Sequence, residues 1–274
     1  MWGCHGDSGK RETGCCVTGG ALVQPALLSP DDPAPVEWCN RASASAILLL
    51  CEHAGQAVPQ ALAGLGVAPD ILQRHIGWDI GAEALARAIS DHLNAPLILQ
   101  RYSRLVIDCN RPPGTPQSIP TVSDGVEVPG NVDLNAAQHD LRRRAMFDPM
   151  NAAIISGFET HPRRAAFSIH SFTRDFGGQT RIWDAGFLTR KDEKTARQLL
   201  DHIAKAAPQM RLGLNEPYQI DDTSDWFIPH HAEPRGVAHT LIEVCNDQLQ
   251  NPAGIALWAG LLANAITATL EETP

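Results

Sequence analysis

From Ala46 onward, short apolar runs alternate with longer stretches in which apolar residues recur every three or four positions. The short runs are typical of buried strands and the longer stretches of amphipathic helices. Their alternation predicts a three-layer α/β/α fold, in which helices cover both faces of a mixed, mostly parallel central sheet. We predict strands over 46–52, 96–101, 104–109, 165–169, 182–188, 210–214 and 237–244. We predict helices over 80–93, 132–158, 192–206, 223–232 and 252–270.

The chain has 274 residues, of which 43% are hydrophobic, so it is long enough to bury the core of one large α/β domain. We place this domain at 45–274. Residues 1–44 are rich in Gly, Pro, Ser and Cys and lack a regular apolar period, so we expect a loosely ordered N-terminal extension there. The proline-rich segment 110–131 predicts a long loop that could cover a site as a lid.

The charge pattern excludes several classes of partner. A formal net charge of -9 argues against nucleic acid, because such binding draws its affinity from clustered Lys and Arg. The one short basic run, Arg142 to Arg144, has Asp140 and Asp148 beside it, which predicts a solvated helix face. The glycines match neither a P-loop nor a dinucleotide-binding motif. We find no apolar stretch free of charge and proline that reaches the ~18 residues of a membrane helix, so we expect no membrane partner.

Seven cysteines occur without CxxC spacing, which indicates neither a zinc knuckle nor a disulfide framework. Those in strand-like runs are typical of small core residues. We therefore expect a reducing, cytoplasmic location. The sequence carries no signal for the oligomeric state.

Histidines end two of the apolar runs, and a third ends such a run less clearly. His53 follows the run 48–52, His170 closes the run 166–169, and His75 is the third. An imidazole where a buried strand meets its loop is held by the sheet yet open on one side, as a metal or catalytic site requires. A capping or hydrogen-bonded histidine is the alternative interpretation of His53.

Two further segments carry candidate site residues. Asp79 precedes the predicted helix 80–93, where it is either the N-cap of that helix or a metal ligand. In the predicted strand 104–109, alternation brings Asp108 and Asn110 to one side, with Arg111 beside them. An Arg next to an Asn suits a planar carboxylate. The alternative is a buried ion pair between Asp108 and an arginine that fixes the loop.

Glu243 interrupts an otherwise apolar predicted strand. Burial of a carboxylate is costly unless the group is paired or its pKa rises. A carboxyl whose pKa is raised toward neutrality suits a general base that activates water at a metal centre. The alternative is an edge strand that turns Glu243 toward solvent.

Six segments together carry a more specific pattern. They are Glu52-His53-Ala54-Gly55, Trp78-Asp79-Ile80-Gly81, Ser103-Arg104-Leu105-Val106-Ile107-Asp108-Cys109-Asn110-Arg111, Ile169-His170-Ser171-Phe172, Asn215-Glu216-Pro217-Tyr218 and Ile242-Glu243-Val244-Cys245-Asn246-Asp247. In this order, and over about 46–270, the chain resembles the N-formylglutamate amidohydrolase family. The resemblance implies a zinc-dependent amidohydrolase whose fold is similar to that of zinc carboxypeptidases and aspartoacylase. It also implies a small N-formyl or related N-acyl acidic amino acid as substrate, such as N-formylglutamate.

The resemblance also implies a metal site. His53 and His170 would bind one Zn²⁺, or another divalent metal in its place. The wider group has a glutamate ligand three residues after the first histidine, where this chain has the neutral Gln56. We therefore assign the acidic ligand to Asp79 and keep Glu52 in reserve, because strand alternation turns Glu52 away from the face of His53.

The remaining implied roles concern chemistry and substrate binding. Glu243 would be the general base that assists attack by water on the amide. Arg104 would either support Arg111 from behind or help to neutralise the oxyanion. Asn110 and Arg111 would hold the substrate carboxylate. Ser171 and Tyr218 complete the predicted substrate-binding residues.

Two other functions remain open from the sequence. One is a metal-free protein that binds a carboxylated metabolite in the same cleft without hydrolysing it. The other is a carboxypeptidase-like peptidase or amidase, which would need an open groove. Metal content separates the first alternative from the amidohydrolase, and substrate size separates the second.

Overall fold

A mixed seven-stranded sheet, counted over the part of the chain that the structure describes, forms the centre of the molecule. The structure is a computed structural model, and it describes residue 3 and residues 26–272. The strands are β1 (Val36–Cys39), β2 (Ile47–Cys51), β3 (Leu97–Gln100), β4 (Val122–Ser123), β5 (Val126–Glu127), β6 (Ala165–Phe172), β7 (Asp175–Phe176), β8 (Gln179–Thr180), β9 (Ala185–Leu188), β10 (Leu212–Leu214) and β11 (Ala238–Cys245). The α-helices are α1 (Pro69–Leu72), α2 (Ala82–Leu93), α3 (Ala136–Arg142), α4 (Asp148–Thr160), α5 (Glu193–Ala206), α6 (Glu233–Arg235) and α7 (Pro252–Glu272).

The strand order in the large sheet is β1-β3-β2-β6-β11-β9-β10. The four central strands, β3, β2, β6 and β11, run parallel to one another. β1 pairs antiparallel with β3, and β9 pairs antiparallel with β11 and parallel with β10. This mixed, mostly parallel sheet confirms the predicted fold class. The strand pairs β4–β5 and β7–β8 form two separate hairpins.

Helices cover both faces of the sheet, and alternate residues of each strand meet one layer or the other. In β2, Leu49 packs in the core beneath α2, α5 and α7. Leu48 and Leu50 pack instead with α4 and with the segment 105–109. The central strands are largely apolar because neither face meets water. The polar exceptions, among them His170 and Glu243, lie in β6 and β11.

The strands β6 and β11 pair over eight residues, and this pairing matters most for the site. In this register Glu243 lies directly opposite His170. Both strands are buried almost throughout, so Glu243 does not lie on an exposed edge. The interpretation of Glu243 as a solvent-facing residue of an edge strand is therefore wrong.

Strand β1 corrects part of the expected N-terminal extension. Val36–Cys39 lies within the segment 1–44, yet it pairs with β3 as an edge strand of the sheet. Val36 and Trp38 pack against the core on one side, while Cys39 faces the other core. The expectation of loose order is therefore wrong for this strand. Residues 1–2 and 4–25 lie outside the described residues.

The predicted strand 104–109 is also wrong, because this segment forms turns. Its apolar residues are buried, as in a strand, but their carbonyl groups have side-chain partners. Asn131 Nδ2 donates to the Leu105 carbonyl at 2.8 Å, and Arg142 Nη1 donates to the Val106 carbonyl at 3.0 Å. Side chains thus replace the hydrogen bonds that a neighbouring strand would supply.

Arg142 itself corrects the prediction of a solvated basic helix face. Its side chain is buried, because its guanidinium binds the Val106 and Gly130 carbonyls and Asn131 Oδ1. Only Arg143 and Arg144 behave as predicted, since they form half-exposed ion pairs with nearby aspartates. A π-helical turn, Arg143–Phe147, joins α3 to α4 within the predicted helix 132–158.

Helix α7 contains a longer uncharged apolar stretch than the sequence analysis predicted anywhere in the chain. Its residues 252–270 carry no charge, and by length and composition this helix could cross a membrane. In the structure Trp258, Leu262 and Ile266 are fully buried, and α7 packs against α2 and α5. Packing in the layered core therefore accounts for the buried face of this helix.

Candidate active site

The candidate active site lies at the carboxyl ends of three central strands. His53 follows β2, His170 lies in β6, and Glu243 lies in β11. Asp79 lies in the loop before α2, and its backbone N–H donates to the His53 carbonyl at 3.0 Å. Because the carboxyl ends of parallel strands meet at one edge of a sheet, these residues surround a common cavity of about 460 Å³.

Three donor atoms converge on the floor of this cavity. His53 Nδ1 and His170 Nδ1 are 3.1 Å apart, and Asp79 Oδ2 lies 3.3 Å from the first and 2.8 Å from the second. All three side chains are buried. Four-coordinate zinc with bonds of about 2.0–2.2 Å separates its ligand atoms by about 3.3–3.6 Å. The 3.3 Å separation falls in this range, and the separations of 3.1 and 2.8 Å are shorter. Two imidazoles and one carboxylate this close together are a donor set that fits a divalent metal.

The side chain of Asp79 decides between its two sequence interpretations. Helix α2 begins after Gly81, and no side chain caps it. Asp79 Oδ2 instead faces the two imidazoles. Burial opposes ionisation of this carboxyl, but His53 and His170 outweigh burial and hold its pKa below the usual value. Asp79 is therefore not the side-chain cap of α2, and its carboxylate belongs to the group of converging donor atoms.

Each histidine has a carboxylate behind it. His53 Nε2 lies 2.7 Å from Asp108 Oδ1. His170 Nε2 lies 2.7 Å from Ser168 Oγ and 3.3 Å from Glu52 Oε2, and the Ser168 hydroxyl donates to Glu52. When each Nε2 carries the proton, each Nδ1 presents its lone pair to the centre. Glu52, the reserve ligand, thus occupies an outer position on the far side of His170.

Arg104 links the carboxylates of the site. Its Nε and Nη2 donate to Asp108 Oδ2 at 3.0 and 2.7 Å, and its Nη1 donates to Asp79 Oδ1 at 3.3 Å. Burial would raise the pKa of Asp108, but Arg104 and His53 outweigh burial and hold it well below the usual value. The alternative of a buried ion pair between Asp108 and an arginine is therefore what the structure contains.

Glu243 faces the cavity with an unused oxygen. The residue is only 7% exposed, and its Oε2 is buried without a hydrogen-bond partner among the described residues. Burial raises the pKa of this carboxyl to about 7. A carboxyl of this kind can accept a proton near neutral pH and return it. Its environment matches that expected of the predicted general base.

Arg111 lines the cavity as a cation with carbonyl partners. Its Nη1 donates to the Asn110 carbonyl at 3.3 Å and to the Ser224 carbonyl. Among the described residues, no carboxylate oxygen lies within 4.0 Å of the Arg111 guanidinium, which is the limit for an ion pair. A cavity wall with an unpaired guanidinium is suited to an anionic ligand.

The other predicted substrate-binding residues are largely committed to the protein. Asn110 Oδ1 accepts from the Trp226 and Phe227 N–H groups at 3.1 Å each, and its Nδ2 donates to Asp225 at 3.2 Å. The Ser171 hydroxyl donates to the Ile80 carbonyl at 2.8 Å. All of these residues border the cavity except Ile80, Trp226 and Phe227. Asn110 and Ser171 thus shape the cavity wall and have little hydrogen-bonding capacity left for a ligand.

The sequence of this chain matches one known protein family over most of its length. A model of the N-formylglutamate amidohydrolase family matches residues 45–249, well over half of the chain. The chain belongs to this family. Membership in the N-formylglutamate amidohydrolase family indicates a hydrolase that acts on an amide bond of a small molecule. A comparison with curated proteins gave no match.

Solved structures extend the comparison. The gene product Atu2144 from Agrobacterium tumefaciens is 34% identical, with a TM-score of 0.85 over 90% of this chain and 98% of that chain. Tripeptide-bound cell shape determinant Csd4 from Helicobacter pylori is 11% identical, with a TM-score of 0.48 over 86% of this chain and 55% of that chain. A bacteriophage poly-gamma-glutamate hydrolase is 12% identical, with a TM-score of 0.43 over 86% of this chain and 87% of that chain.

Three other histidines are not part of the donor set of this family member. His75 borders the cavity, 3.3 Å from Asp124, but is not among the converging donors. His231 and His239 do not border the cavity. Gln56 is exposed, so the position of the wider group's glutamate ligand is turned away from the centre.

Sequence reasoning missed some residues of the site. Ser168 was not singled out, although it lies two positions before His170 and therefore on the same face of β6. That spacing was a usable signal. Arg181, which contacts Tyr218, had no motif around it that could have identified it.

Proposed function

We propose that this protein is a zinc-dependent amidohydrolase that removes the acyl group from a small N-formyl or related N-acyl acidic amino acid such as N-formylglutamate. The observation that carries the proposal is the convergence of His53 Nδ1, His170 Nδ1 and Asp79 Oδ2 within 3.3 Å of one another. This donor set opens onto a cavity that also holds a buried carboxyl and an unpaired guanidinium.

The donor chemistry fits zinc, because neutral imidazoles and a carboxylate are its usual ligands at catalytic sites. His53, His170 and Asp79 would hold the ion. A zinc ion at such a site lowers the pKa of water toward ~7 and polarises an amide carbonyl. The set carries a single negative charge, so it leaves a divalent ion with a net positive charge.

Glu243 is assigned the movement of the proton. Its unpartnered Oε2 is available to accept a proton from water, and the same carboxyl can return that proton to the leaving amine. Its position opposite His170 in the sheet keeps it beside the donor set. Two adjacent strands thus place the proposed base next to one of the three proposed ligands.

Arg111 is assigned the binding of a substrate carboxylate, because it is a cavity-lining cation without a carboxylate partner. Arg104 has two carboxylate partners, Asp79 and Asp108. These contacts favour a role in positioning the metal ligands over the predicted neutralisation of the oxyanion. The cytoplasmic location remains a prediction.

The size of the cavity favours a small substrate over a polypeptide. A volume of about 460 Å³ is in the range of small-molecule sites. Ser123 and Asp124, from the predicted proline-rich loop, border the cavity. This supports the amidohydrolase of a small molecule over a peptidase, which requires an open groove.

The test is a metal and turnover assay of the purified protein and of Glu243→Gln. Zinc should bind at one ion per chain, and N-formylglutamate should be hydrolysed when a panel of N-formyl, N-formimino, N-acetyl and N-carbamoyl amino acids is screened. Glu243→Gln should bind zinc normally and lose about 100-fold or more in turnover. The control is Glu159→Gln, which neutralises an exposed glutamate.

Two results would contradict the proposal. Full turnover by zinc-loaded Glu243→Gln would exclude the assigned base. A protein that binds N-formylglutamate but neither retains zinc nor releases formate would instead be the metal-free binder.

A further inference from the structure

A guanidinium lies among three aromatic rings beside the cavity. Arg181 Cζ is 4.6 Å from the centroid of the Phe176 ring, 4.7 Å from that of Tyr218 and 5.7 Å from that of Phe172. All three rings border the cavity. The arrangement holds a cation immediately behind the cavity wall, where the ring faces stabilise its charge.

The hydrogen bonds of Arg181 leave its charge uncompensated. Its Nη1 donates to Tyr218 Oη at 2.8 Å and to the Thr173 carbonyl at 3.3 Å. Among residues 26–272, no carboxylate oxygen is closer than 4.0 Å to this guanidinium, so Arg181 forms no ion pair there. An arginine stays charged at any ordinary pH. Its positive charge is therefore available to an anion held by Tyr218.

Tyr218 presents a donor to the cavity. Because its oxygen accepts the hydrogen bond from Arg181, the phenolic proton is free for another acceptor. Burial raises the pKa of this phenol, so the proton remains in place at neutral pH. An O–H donor backed by a cation is suited to a carboxylate.

Outside the donor set, two of the other three basic residues at the cavity already have carboxylate partners. Arg104 is shared between Asp79 and Asp108, and His75 lies beside Asp124. Arg111 is free, but one guanidinium accounts for one carboxylate. An N-acyl acidic amino acid carries two. The second carboxylate therefore needs a donor other than these three residues.

We propose that Tyr218 and Arg181 form the subsite for the side-chain carboxylate of the substrate, with Tyr218 as the contacting donor and Arg181 as the positioning residue and source of charge. The proposal rests on the proposed function, because it takes an acidic amino acid as the substrate class. It assigns the preference for an acidic over a neutral side chain to this pair.

The experiment measures product binding, which requires no turnover. Calorimetry on the zinc-loaded protein gives the Kd of L-glutamate and of L-glutamine, which differ in the side-chain carboxylate. The wild-type protein should prefer L-glutamate. Arg181→Gln should reduce this preference about tenfold or more, with little change for L-glutamine. Tyr218→Phe should also reduce the preference for L-glutamate. Arg181→Lys, which keeps the positive charge, should retain most of that preference.

The matched control is Arg41→Gln. Arg41 is exposed and also stacks on an aromatic ring, that of Trp38 at 5.0 Å, but it does not border the cavity. This variant removes the same charge and should keep the wild-type preference. If Arg181→Gln fails to fold, Tyr218→Phe and Arg181→Lys still measure the subsite.

Three results would overturn the subsite: a wild-type protein without preference for L-glutamate, an unchanged preference in Arg181→Gln, or equal weakening of both ligands. The last result would indicate a merely structural arginine. Failure of the proposed function gives a different result. In that case the preference for L-glutamate would still depend on Arg181, but the protein would not hydrolyse N-formylglutamate.

Discussion

Each imidazole that faces the donor centre is oriented through its other nitrogen. Asp108 lies 2.7 Å from His53 Nε2, and Glu52 lies 3.3 Å from His170 Nε2. Such partners fix the tautomer and the ring orientation and make the imidazole a better ligand. Asp108 should therefore contribute to metal affinity through His53, without being a ligand.

Replacement of this outer carboxylate gives a residue-scale prediction. Asp108→Asn should weaken zinc binding about 10- to 100-fold, because the amide cannot hold the imidazole proton as the carboxylate does. Competition with a chromophoric chelator measures the affinity. Asp140→Asn, which changes a half-exposed surface ion pair, is the control and should bind zinc as the wild type does. Unchanged affinity in Asp108→Asn would exclude the role of the outer carboxylate.

Residues that face the cavity could be predicted one at a time, whereas their partners could not. His170 and Glu243 are conspicuous because a polar residue ends or interrupts an apolar run. Asp108 contacts His53 across 55 positions of sequence, and Arg181 contacts Tyr218 across 37. Such contacts depend on how loops after different strands approach one another, and no local pattern encodes that approach.

At the scale of elements, the turn after β2 is tightly packed against the chain after β3. The backbone N–H of Ala57 donates to the Arg101 carbonyl at 3.2 Å. A Cβ atom added at Gly55 would lie 1.9 Å from that same carbonyl oxygen. Only glycine allows this approach. The turn that carries His53 thus depends on the absence of a side chain two residues later.

A pair of glycine substitutions tests this packing. Gly55→Ala should lower the free energy of unfolding by about 2–4 kcal/mol, because backbone must move to admit the methyl group. Gly260→Ala is the matched control, since a Cβ there meets nothing within 4 Å. In the middle of α7 it should raise stability by about 0.5–1 kcal/mol. Urea denaturation measures both values. Equal stability of the two variants would contradict the close approach.

The segment 104–109 shows where an apolar pattern misleads at this scale. Periodicity reports burial, and this segment is buried as predicted. It does not report which partner satisfies the backbone. Here the donors are the side chains of Asn131 and Arg142, which lie far along the chain. A strand and a buried turn therefore look alike in the sequence.

The stability of the whole molecule should depend on pH through Asp225. This carboxyl is 4% exposed, and burial raises its pKa to about 7. In the unfolded chain the pKa of an aspartate is about 3.9. The folded protein therefore binds the proton more tightly than the unfolded chain. Unfolding releases that proton between about pH 4 and 7, so the free energy of unfolding falls as pH rises across this window.

The variant Asp225→Asn removes this dependence while keeping the shape of the protonated carboxyl. Its stability relative to wild type should increase from pH 4.5 to pH 7, by at most about 1.4 kcal/mol for each pH unit. Urea denaturation of both proteins at several pH values gives the difference. Asp201→Asn changes an exposed aspartate and serves as the control. A difference that stays constant with pH would show that Asp225 is not protonated in the folded protein.

The overall fold could be predicted because strand and helix periods alternate over most of the chain, and the sheet is confirmed as mixed and mostly parallel. Strand β1 was missed because it is only four residues long and half-buried, and because it lies in a segment rich in Gly, Pro, Ser and Cys. Strand order was also out of reach. It depends on the packing of buried faces that are almost uniformly aliphatic and so do not specify a neighbour.

The eight-residue pairing of β6 with β11 has an evolutionary consequence. It fixes Glu243 beside His170 through main-chain bonds, at the spacing of neighbouring strands. Arg111 and Tyr218, in contrast, belong to connecting segments outside the regular elements. Descendants of such a scaffold can therefore exchange the segments that carry Arg111 and Tyr218 and acquire new specificities, while the strand pair that holds Glu243 beside His170 is inherited intact.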